Sequence, residues 1–522
     1  MQPARPRRDL RLPEVAHRAR GWLAALAVTG VAAAVRLPHL GRPAELVFDE
    51  TYYVKDAWTL LNLGYEGQWG PEPNPAFEAG DVDGYRTEAS YVVHPPVGKW
   101  LIALGLRLVG ADDPVGWRIA SAVVGILTVL LLARVATRLF GSWPLGAVAG
   151  LLLAVDGLHV VHSRTALLDG FLTFFVLAAF GALLVDRDHA RERLLRMTGP
   201  PRAPARWGPG LGVRPWRLLA GVLLGLAVGT KWSALWFVAV LGLLTVGWDL
   251  SARRRARVRR WIAAGVLRDG VPAFLSLVPV AALTYVASWA GWLRSTDGYG
   301  RRWAALHPGE GVTWLPEGLR SLWRYHQDMW GFHTTLDADH AWAAHPIGWW
   351  VQWRPTTFFY ASPEPAQLEC AADRCSQTIN SVGNPVLWWA AAVALLLALW
   401  HILRRRPGAG VAVASLSGVV AGWLPWFAYT DRTIFTFYAV VFAPWVVLTL
   451  TWGLWRLLEP TPHGDHGHRA PPGAGRVSAA RAGVVVVVLL AAVAGWWFYP
   501  LWVAEVITLR EWQLRMWLPG WA

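Results

Sequence analysis

Residues 21–37, Gly-Trp-Leu-Ala-Ala-Leu-Ala-Val-Thr-Gly-Val-Ala-Ala-Ala-Val-Arg-Leu, form the apolar run that decides the fold class of this chain. A bilayer is crossed by a helix of about 20 largely apolar residues, so this run predicts a transmembrane helix. Residues 1–20 contain six arginines, which favour a cytoplasmic N-terminus. The basic tail is long and no small-residue cleavage site follows the run, so we interpret it as a retained helix and not a cleaved signal peptide.

Just beyond this helix lies a second informative stretch, residues 47–55, Val-Phe-Asp-Glu-Thr-Tyr-Tyr-Val-Lys. The acidic pair Asp49 and Glu50 is flanked by aromatic residues, including Tyr52 and Tyr53. Aromatic walls lower the local dielectric and offer faces to a sugar ring, and a carboxylate held among them can accept a proton. The alternative is structural, with Asp49 capping the N-terminus of a short helix.

The composition places the whole chain in the membrane class. Of its 522 residues, 54% are hydrophobic and only 16% are charged, and the mean hydropathy is +0.32. A soluble chain carries about 25% charged residues. The net charge of +14 does not indicate nucleic-acid binding, because most Lys and Arg residues fall in short loops that alternate along the chain. We therefore expect contact with membrane lipid and none with nucleic acid.

The alternation predicts an all-α polytopic membrane protein with about eleven transmembrane helices. The expected order is a cytoplasmic basic tail (1–20), a first transmembrane helix (21–37), an extracytoplasmic loop (38–116), transmembrane helices two to seven (117–293), a second extracytoplasmic loop (294–384), transmembrane helices eight to eleven (385–500) and an extracytoplasmic tail (501–522). Every arginine-rich loop then lies on the cytoplasmic side, as the positive-inside rule requires.

The two cysteines, Cys370 and Cys375, fall in the second outer loop. A pair alone lacks the ligands of a structural zinc site, and a disulfide needs an oxidising compartment. The outer location therefore favours a disulfide over a thiol pair. Three histidines at 463, 466 and 468 lie in a Pro- and Gly-rich loop that we interpret as a solvated linker and not a metal site.

One group of ionisable residues falls on the predicted outer side of the membrane, at the outer ends of the helices or in the outer loops. The group consists of Asp49, Glu50, His94, Lys99, Arg118, Arg164, Asp169, Lys231 and Arg432. Such groups are expensive near a membrane core and usually line a cavity. Three of the cations, Arg118, Lys231 and Arg432, come from different hairpins and could converge on one phosphate. Alternatively, each cation snorkels to the interface, or Arg164 pairs with Asp169.

Several motifs give the chain a resemblance to a known family. They are Asp49-Glu50, His94-Pro-Pro-Val-Gly-Lys99, Trp117-Arg-Ile-Ala-Ser121, Ser163-Arg164 with Leu168-Asp169, and Gly229-Thr-Lys-Trp232. With these motifs the chain resembles the bacterial, actinobacterial protein O-mannosyltransferases of the GT-C glycosyltransferase superfamily (glycosyltransferase family 39) over essentially its whole length. The resemblance implies transfer of mannose from a polyprenyl monophosphate to Ser or Thr of proteins emerging from the secretion machinery. It also implies a plasma-membrane location and assigns the catalytic residue of the family's Asp-Glu pair to Asp49.

The expected mechanism follows from these parts. Asp49 takes the proton of the acceptor hydroxyl, the polyprenyl phosphate leaves, and the configuration of the sugar inverts. The donor has no diphosphate, so neither a metal nor a cofactor is expected, and Asp81-Val82-Asp83 is interpreted as loop. The second outer loop is too short for the MIR domain that eukaryotic members carry.

Two other functions remain open from the sequence. A related GT-C transferase would move the lipid-linked sugar to a lipid or a glycan. A lipid transporter or flippase would place its polar residues at mid-membrane, whereas the charges here lie at outer helix ends.

Overall fold

The computed structural model describes residues 12–198, 206–364, 370, 372–458 and 474–522. The histidines at 463, 466 and 468, most of the basic tail and part of the loop 186–217 lie outside these residues. Twenty α-helices are present: α1 Leu12–Arg36, α2 Glu50–Leu63, α3 Asn74–Glu78, α4 Val97–Val109, α5 Pro114–Phe140, α6 Trp143–Ala154, α7 Gly157–His162, α8 Leu168–Thr198, α9 Pro215–Val228, α10 Ala234–Arg255, α11 Trp261–Gly265, α12 Val271–Ser288, α13 Ala290–Arg294, α14 Trp303–Leu306, α15 Glu317–Thr335, α16 Pro385–Leu403, α17 Ala409–Gly422, α18 Ala443–Leu458, α19 Ala474–Trp502 and α20 Leu509–Arg515.

Five short strands complete the regular structure. They are β1 Gly67–Trp69, β2 Tyr85–Ala89, β3 Thr357–Ala361, β4 Cys375–Asn380 and β5 Val506–Thr508. Strands β1 and β2 form an antiparallel pair, and β3, β4 and β5 form a three-stranded antiparallel sheet in that order. The sequence prediction of a helical membrane protein thus holds, with small sheets confined to the two outer loops and the C-terminal segment.

Eight helical segments among the described residues are long and apolar enough to cross a membrane. They are Pro114–Phe140, Leu168–Thr198, Ala234–Arg255, Trp261–Ser288, Pro385–Leu403, Ala409–Ala428, Thr436–Leu458 and Ala479–Trp502. Helices α6 and α9 are apolar but shorter. The polytopic class is confirmed, while the count of eleven spans stays a prediction.

The helix that follows α5 is interrupted. Helix α6 ends at Ala154, and a separate short helix, α7, follows it. The buried guanidinium of Arg36 explains how the chain can break here. Its Nη atoms donate to the carbonyls of Leu153 and Ala154 and so satisfy the C-terminal end of α6 inside the protein.

At the arginine-rich end of the helices, which is remote from the outer loops, buried ion pairs join neighbouring helices. Arg214 bridges Asp186 of α8 and Asp249 of α10, and Arg217 of α9 also contacts Asp249. Arg253 pairs with Asp269 in the π-helical turn Val266–Gly270 that follows α11. Because opposite charges compensate inside this cluster, it can fasten α8, α9 and α10 together at the end remote from the outer loops.

The outer loops build a cap over the other end of the helices. Cys370 and Cys375 are joined by a disulfide at the start of β4. The segment 501–522, expected as a simple tail, instead supplies β5, which pairs with β4, and α20. The C-terminal segment is therefore part of the cap.

Candidate active site

A cavity of about 1830 Å³ lies between this cap and the outer ends of the transmembrane helices. Its walls come from α2, the loop 90–94, the first turn of α8, the turn before α10, one face of α12, α15 and the segment 425–441. Eight of the eleven predicted site residues outside the disulfide line it, namely Asp49, Tyr52, Tyr53, His94, Lys99, Asp169, Lys231 and Arg432.

 Phe48 also lines the cavity, although it was not predicted as a site residue. Glu50, Arg118 and Arg164 do not line it.

Asp49 is placed at the start of α2 but does not cap it. It occupies the N-cap position that the structural alternative predicted, but its side chain accepts no capping hydrogen bond from the backbone N–H groups of the first turn. The carboxylate points into the cavity, and the Tyr53 hydroxyl donates to its Oδ2 over 3.2 Å. Burial raises the pKa of Asp49, and the Lys231 charge opposes that rise. A partly buried carboxylate with a raised pKa is suited to accepting a proton.

Glu50 has a different role from its neighbour. Its side chain is fully buried, and Arg118 donates to both carboxylate oxygens, with Nε 2.9 Å from Oε1 and Nη2 2.8 Å from Oε2. The backbone N–H groups of Val47 and Ala166 donate to the same carboxylate. With both oxygens satisfied inside the protein, Glu50 holds the loop before α2 against α5 and α8 and does not reach a substrate.

Arg118 is therefore not part of a phosphate site, which corrects the sequence prediction. Besides the Glu50 carboxylate, its guanidinium donates to the carbonyls of Leu40, Pro43 and Glu45 in the loop that follows α1. A fully buried arginine with these partners has no free donor directed at the cavity. Its function is to fix the loop that carries Asp49.

The second correction concerns Arg164. It does not pair with Asp169, because its guanidinium donates to the carbonyls of Arg36, Pro38 and His39 at the end of α1. Asp169 pairs instead with Lys231, whose Nζ lies 2.7 Å from Oδ2. This ion pair faces the cavity and joins the first turn of α8 to the turn between α9 and α10.

Arg432 is the cavity cation without a carboxylate partner among the described residues. Its Nε is buried and has no hydrogen-bond partner in the described part of the chain. The guanidinium lies 6.0 Å from the ring of Trp426. A buried, unpaired donor of this kind is costly unless a ligand satisfies it, so Arg432 and Lys231, which line the same cavity, are candidates for holding an anion there.

Lys99 forms ion pairs with two acidic residues, so its charge is not free for a phosphate. It forms an ion pair with buried Glu66, and its Nζ lies 3.8 Å from Oδ2 of Asp56. Asp56 faces the same cavity and was not predicted as a site residue. Burial raises its pKa to about 7, with Lys99 opposing the shift and Glu66 adding to it. Its position seven residues after Asp49 on one helix, two turns along the same face, was the available sequence signal.

His94 forms part of an aromatic wall. Its ring stacks on His333 of α15 with the centroids 5.2 Å apart, and the Tyr53 ring lies 6.1 Å away. Nε2 of His333 donates to the carbonyl of Val93 over 2.8 Å. Burial, with Lys231 nearby, lowers the pKa of His94 well below its usual value, so the ring is neutral at neutral pH.

A chain of hydrogen bonds connects α15 to α12 and to the turn before α10. Trp232 donates from Nε1 to the Tyr285 hydroxyl over 3.0 Å, and Tyr285 in turn bonds His326 of α15. These three residues lie far apart in the sequence and carry no motif that would have predicted their contact, apart from Trp232 beside Lys231. Tyr52, in contrast, is 64% exposed and lies at the open edge of the cavity.

The chain is similar to known proteins over most of its length. Residues 26–266 match the family described as dolichyl-phosphate-mannose-protein mannosyltransferase, and residues 318–521 match the C-terminal four TMM region of protein-O-mannosyltransferase. The polyprenol-phosphate-mannose–protein mannosyltransferase of Mycobacterium tuberculosis is 37% identical over 97% of this chain and 92% of its own length. The Corynebacterium glutamicum protein of the same name is 33% identical over 91% of this chain and 88% of its own.

A solved structure shares the fold. The S. cerevisiae protein O-mannosyltransferase Pmt1-Pmt2 complex bound to the sugar donor superposes with a TM-score of 0.71 at 14% sequence identity, covering 96% of this chain and 93% of that one. At this identity the likeness concerns the fold alone, and it confirms the predicted helical membrane architecture.

Proposed function

The chain belongs to the dolichyl-phosphate-mannose–protein mannosyltransferase family, and from this we propose that it transfers mannose from a polyprenyl monophosphate to Ser or Thr hydroxyls of proteins. One observation carries the proposal for the site. A carboxylate able to accept a proton, Asp49, faces the same cavity as Lys231 and the unpaired Arg432. The transfer requires a base for the acceptor hydroxyl and a site that binds the leaving phosphate.

Asp49 is the proposed general base. As the acceptor oxygen forms its bond to the anomeric carbon, its proton passes to the Asp49 carboxylate and the bond from that carbon to the phosphate oxygen breaks. The electron pair leaves with the polyprenyl phosphate. Attack from the face opposite the phosphate inverts the anomeric configuration, and removal of the proton in this step contributes about 10²–10⁴-fold to the rate.

Lys231 and Arg432 are the proposed phosphate ligands. Arg432 would donate to the phosphate oxygens, and Lys231 would contribute a charge that Asp169 holds in place. Positive groups fixed where negative charge develops on the leaving phosphate lower the barrier without reorganisation at the moment of reaction.

The apolar part of the cavity suits the polyprenyl chain. Its wall on the membrane side is formed by α10 and α12, where Leu235, Trp236 and Val278 are exposed on the protein surface as well as facing the cavity. A prenyl chain could pass between these helices from the bilayer while its phosphate stays beside Lys231. Burial of such a chain is favourable because each CH₂ group contributes about 0.8 kcal/mol.

We also propose an orientation in the cell membrane. Asp169, at the first turn of α8, faces the cavity, whereas Asp186 in the same helix belongs to the arginine-rich cluster at the other end. Arginine-rich loops favour the cytoplasm, and a disulfide needs the oxidising side. The N-terminus is then cytoplasmic, the cavity opens on the outer side of the plasma membrane, and acceptor proteins reach it as they leave the secretion machinery.

The test is transfer by the purified protein. Polyprenyl-phosphate mannose with labelled sugar is supplied together with a Ser- or Thr-containing peptide, and the matched control is the same peptide with Ala at every Ser and Thr. We expect label only on the hydroxyl peptide, with an α-linked product from a β-linked donor. Transfer to a lipid or glycan acceptor with none to the peptide would contradict the proposed acceptor class.

A further inference from the structure

We propose that Phe48 is a positioning residue for Asp49 and that Phe358 of β3 holds it in place through a ring stack. The inference rests on the proposed role of Asp49 as the base. It assigns to the second outer loop a part in the reaction that neither the sequence motifs nor the family relationship indicates.

The backbone of Phe48 is in an unusual conformation. Its φ is +50°, in the left-handed region that a bulky side chain rarely adopts. Such conformations persist only where the surrounding structure enforces them, and they cluster at functional sites. The next residue along the chain is Asp49, so the turn at Phe48 sets the direction in which the Asp49 side chain leaves the backbone.

Aromatic packing supplies the force that holds this turn. The ring of Phe48 stacks on that of Phe358, with centroids 4.7 Å apart and planes within 4° of parallel. Phe437 and Phe435 meet it edge-on at 5.5 and 6.3 Å. Contacts with three rings leave the Phe48 side chain little freedom to rotate, and aromatic contacts of this geometry are favourable beyond their buried area.

A β-bulge in strand β3 sets the direction of the Phe358 side chain. Thr357 pairs with Asn380 and Phe359 pairs with Ile379, so Phe358 is the extra residue of a β-bulge. Bulges re-aim a side chain and are common beside active sites. Strand β4, which carries the partners of β3, is itself paired with β5 from the C-terminal segment. The sheet therefore gives Phe358 a rigid support.

Asp49 is consequently held from both sides along the chain. Before it, Phe48 is locked by Phe358, and after it, Glu50 is locked by Arg118. Within the described part of the chain, Tyr53 alone donates a side-chain hydrogen bond to the carboxylate between these anchors, so it can receive a proton without losing the contacts that orient it. A small misplacement of a reacting group reduces the rate by as much as about 10²-fold, so the anchors matter to the chemical step.

The experiment compares Phe358→Leu with two matched variants. Phe358→Tyr keeps the ring and should restore function, and Phe359→Leu changes the adjacent aromatic residue, which makes no ring contact with Phe48 among the described residues. For each variant we would measure kcat, the donor KM, the thermal unfolding temperature and the pH dependence of kcat. The pH dependence of carbodiimide labelling at Asp49, followed by mass spectrometry, reports on the Asp49 carboxyl without any turnover.

For Phe358→Leu we expect kcat to fall by about 10- to 100-fold with little change in the donor KM. Water reaching the loosened turn should also lower the pKa of Asp49, so the acidic limb of the rate profile and the carbodiimide labelling curve should both move to lower pH. Phe358→Tyr and Phe359→Leu should keep the wild-type values of kcat and of the labelling curve.

Two results would overturn the inference. One is a wild-type kcat and labelling curve in Phe358→Leu, and the other is a loss of activity that matches the loss of folded protein while the labelling curve stays in place. Failure of the proposed function is distinguishable, because in that case wild-type protein would transfer no mannose to peptide although the Asp49 labelling curve still moved in Phe358→Leu.

Discussion

Arg118 and Glu50 form a fully buried ion pair, with Nη2 2.8 Å from Oε2 and neither side chain exposed to solvent. The pair connects α5 to the first turn of α2, so the geometry of the loop that carries Asp49 depends on it. Two charges buried together in this way are stable only while both are present, because either one alone would be left uncompensated in the interior.

Removal of Arg118 should therefore act on folding. We expect Arg118→Ala to lower the free energy of unfolding by about 3–5 kcal/mol, since it leaves the Glu50 carboxylate buried and unpaired. Denaturation of the detergent-solubilised protein measures this change. Arg405→Ala, at an exposed arginine, is the control. If Arg118→Ala left the stability unchanged and raised the donor KM, Arg118 would instead be a phosphate ligand.

Asp49→Asn should abolish transfer while leaving the protein folded. The amide cannot take the proton of the acceptor hydroxyl, so the rate should fall by about 10²–10⁴-fold. Initial rates with saturating donor and peptide measure the effect. Asp81→Asn, at an exposed carboxylate in the same outer loop, should keep full activity. Activity above a tenth of wild type in Asp49→Asn would remove Asp49 from the role of base.

Replacing Arg432 or Lys231 by Ala should raise the donor KM. Each residue would lose a charge-assisted contact with the phosphate, worth about 1.5–3 kcal/mol. Kinetics with varied donor at fixed peptide measure the change, and Asp169→Asn should give a smaller rise by loosening Lys231. Unchanged donor kinetics in both alanine variants would exclude this phosphate site.

Asp56 should make stability depend on pH. Its pKa is raised to about 7 by burial, above the value of about 4 of an aspartate in the unfolded chain, so the folded protein binds this proton more tightly. That contribution is fully present below about pH 4 and is lost as the pH rises through about 7. Asp56→Asn should therefore weaken the decline of the unfolding temperature between about pH 4 and about pH 7. An identical decline in wild type and variant would contradict the raised pKa.

The sidedness of the membrane can be tested with thiol reagents in intact cells. A membrane-impermeant reagent should label Cys370 and Cys375 only after reduction of their disulfide. In a variant that lacks both native cysteines, Ser251→Cys, near the arginine-rich end of α10, should stay unlabelled until the membrane is opened. Labelling of Ser251→Cys in intact cells would place Asp49 in the cytoplasm and overturn the proposed orientation.

Much of the architecture could be predicted because it depends on local composition. Apolar runs of sufficient length predict membrane helices wherever they occur, and α16 begins at Pro385, where the predicted group of helices eight to eleven begins. The interruption after α6 could not be predicted in this way. A buried carbonyl end needs a donor, and the donor is Arg36, more than a hundred residues earlier in the chain.

By itself, the sequence determined the membrane class, the acidic pair at Asp49-Glu50 and the family. Only the tertiary structure decided which polar residues reach a substrate. Successive side chains in a helical turn point in directions about 100° apart, so Asp49 faces the cavity while Glu50 faces Arg118. Whether an arginine is free depends in turn on carbonyls and carboxylates from distant segments, which satisfy Arg118 and Arg164 but leave Nε of Arg432 without a hydrogen-bond partner among the described residues.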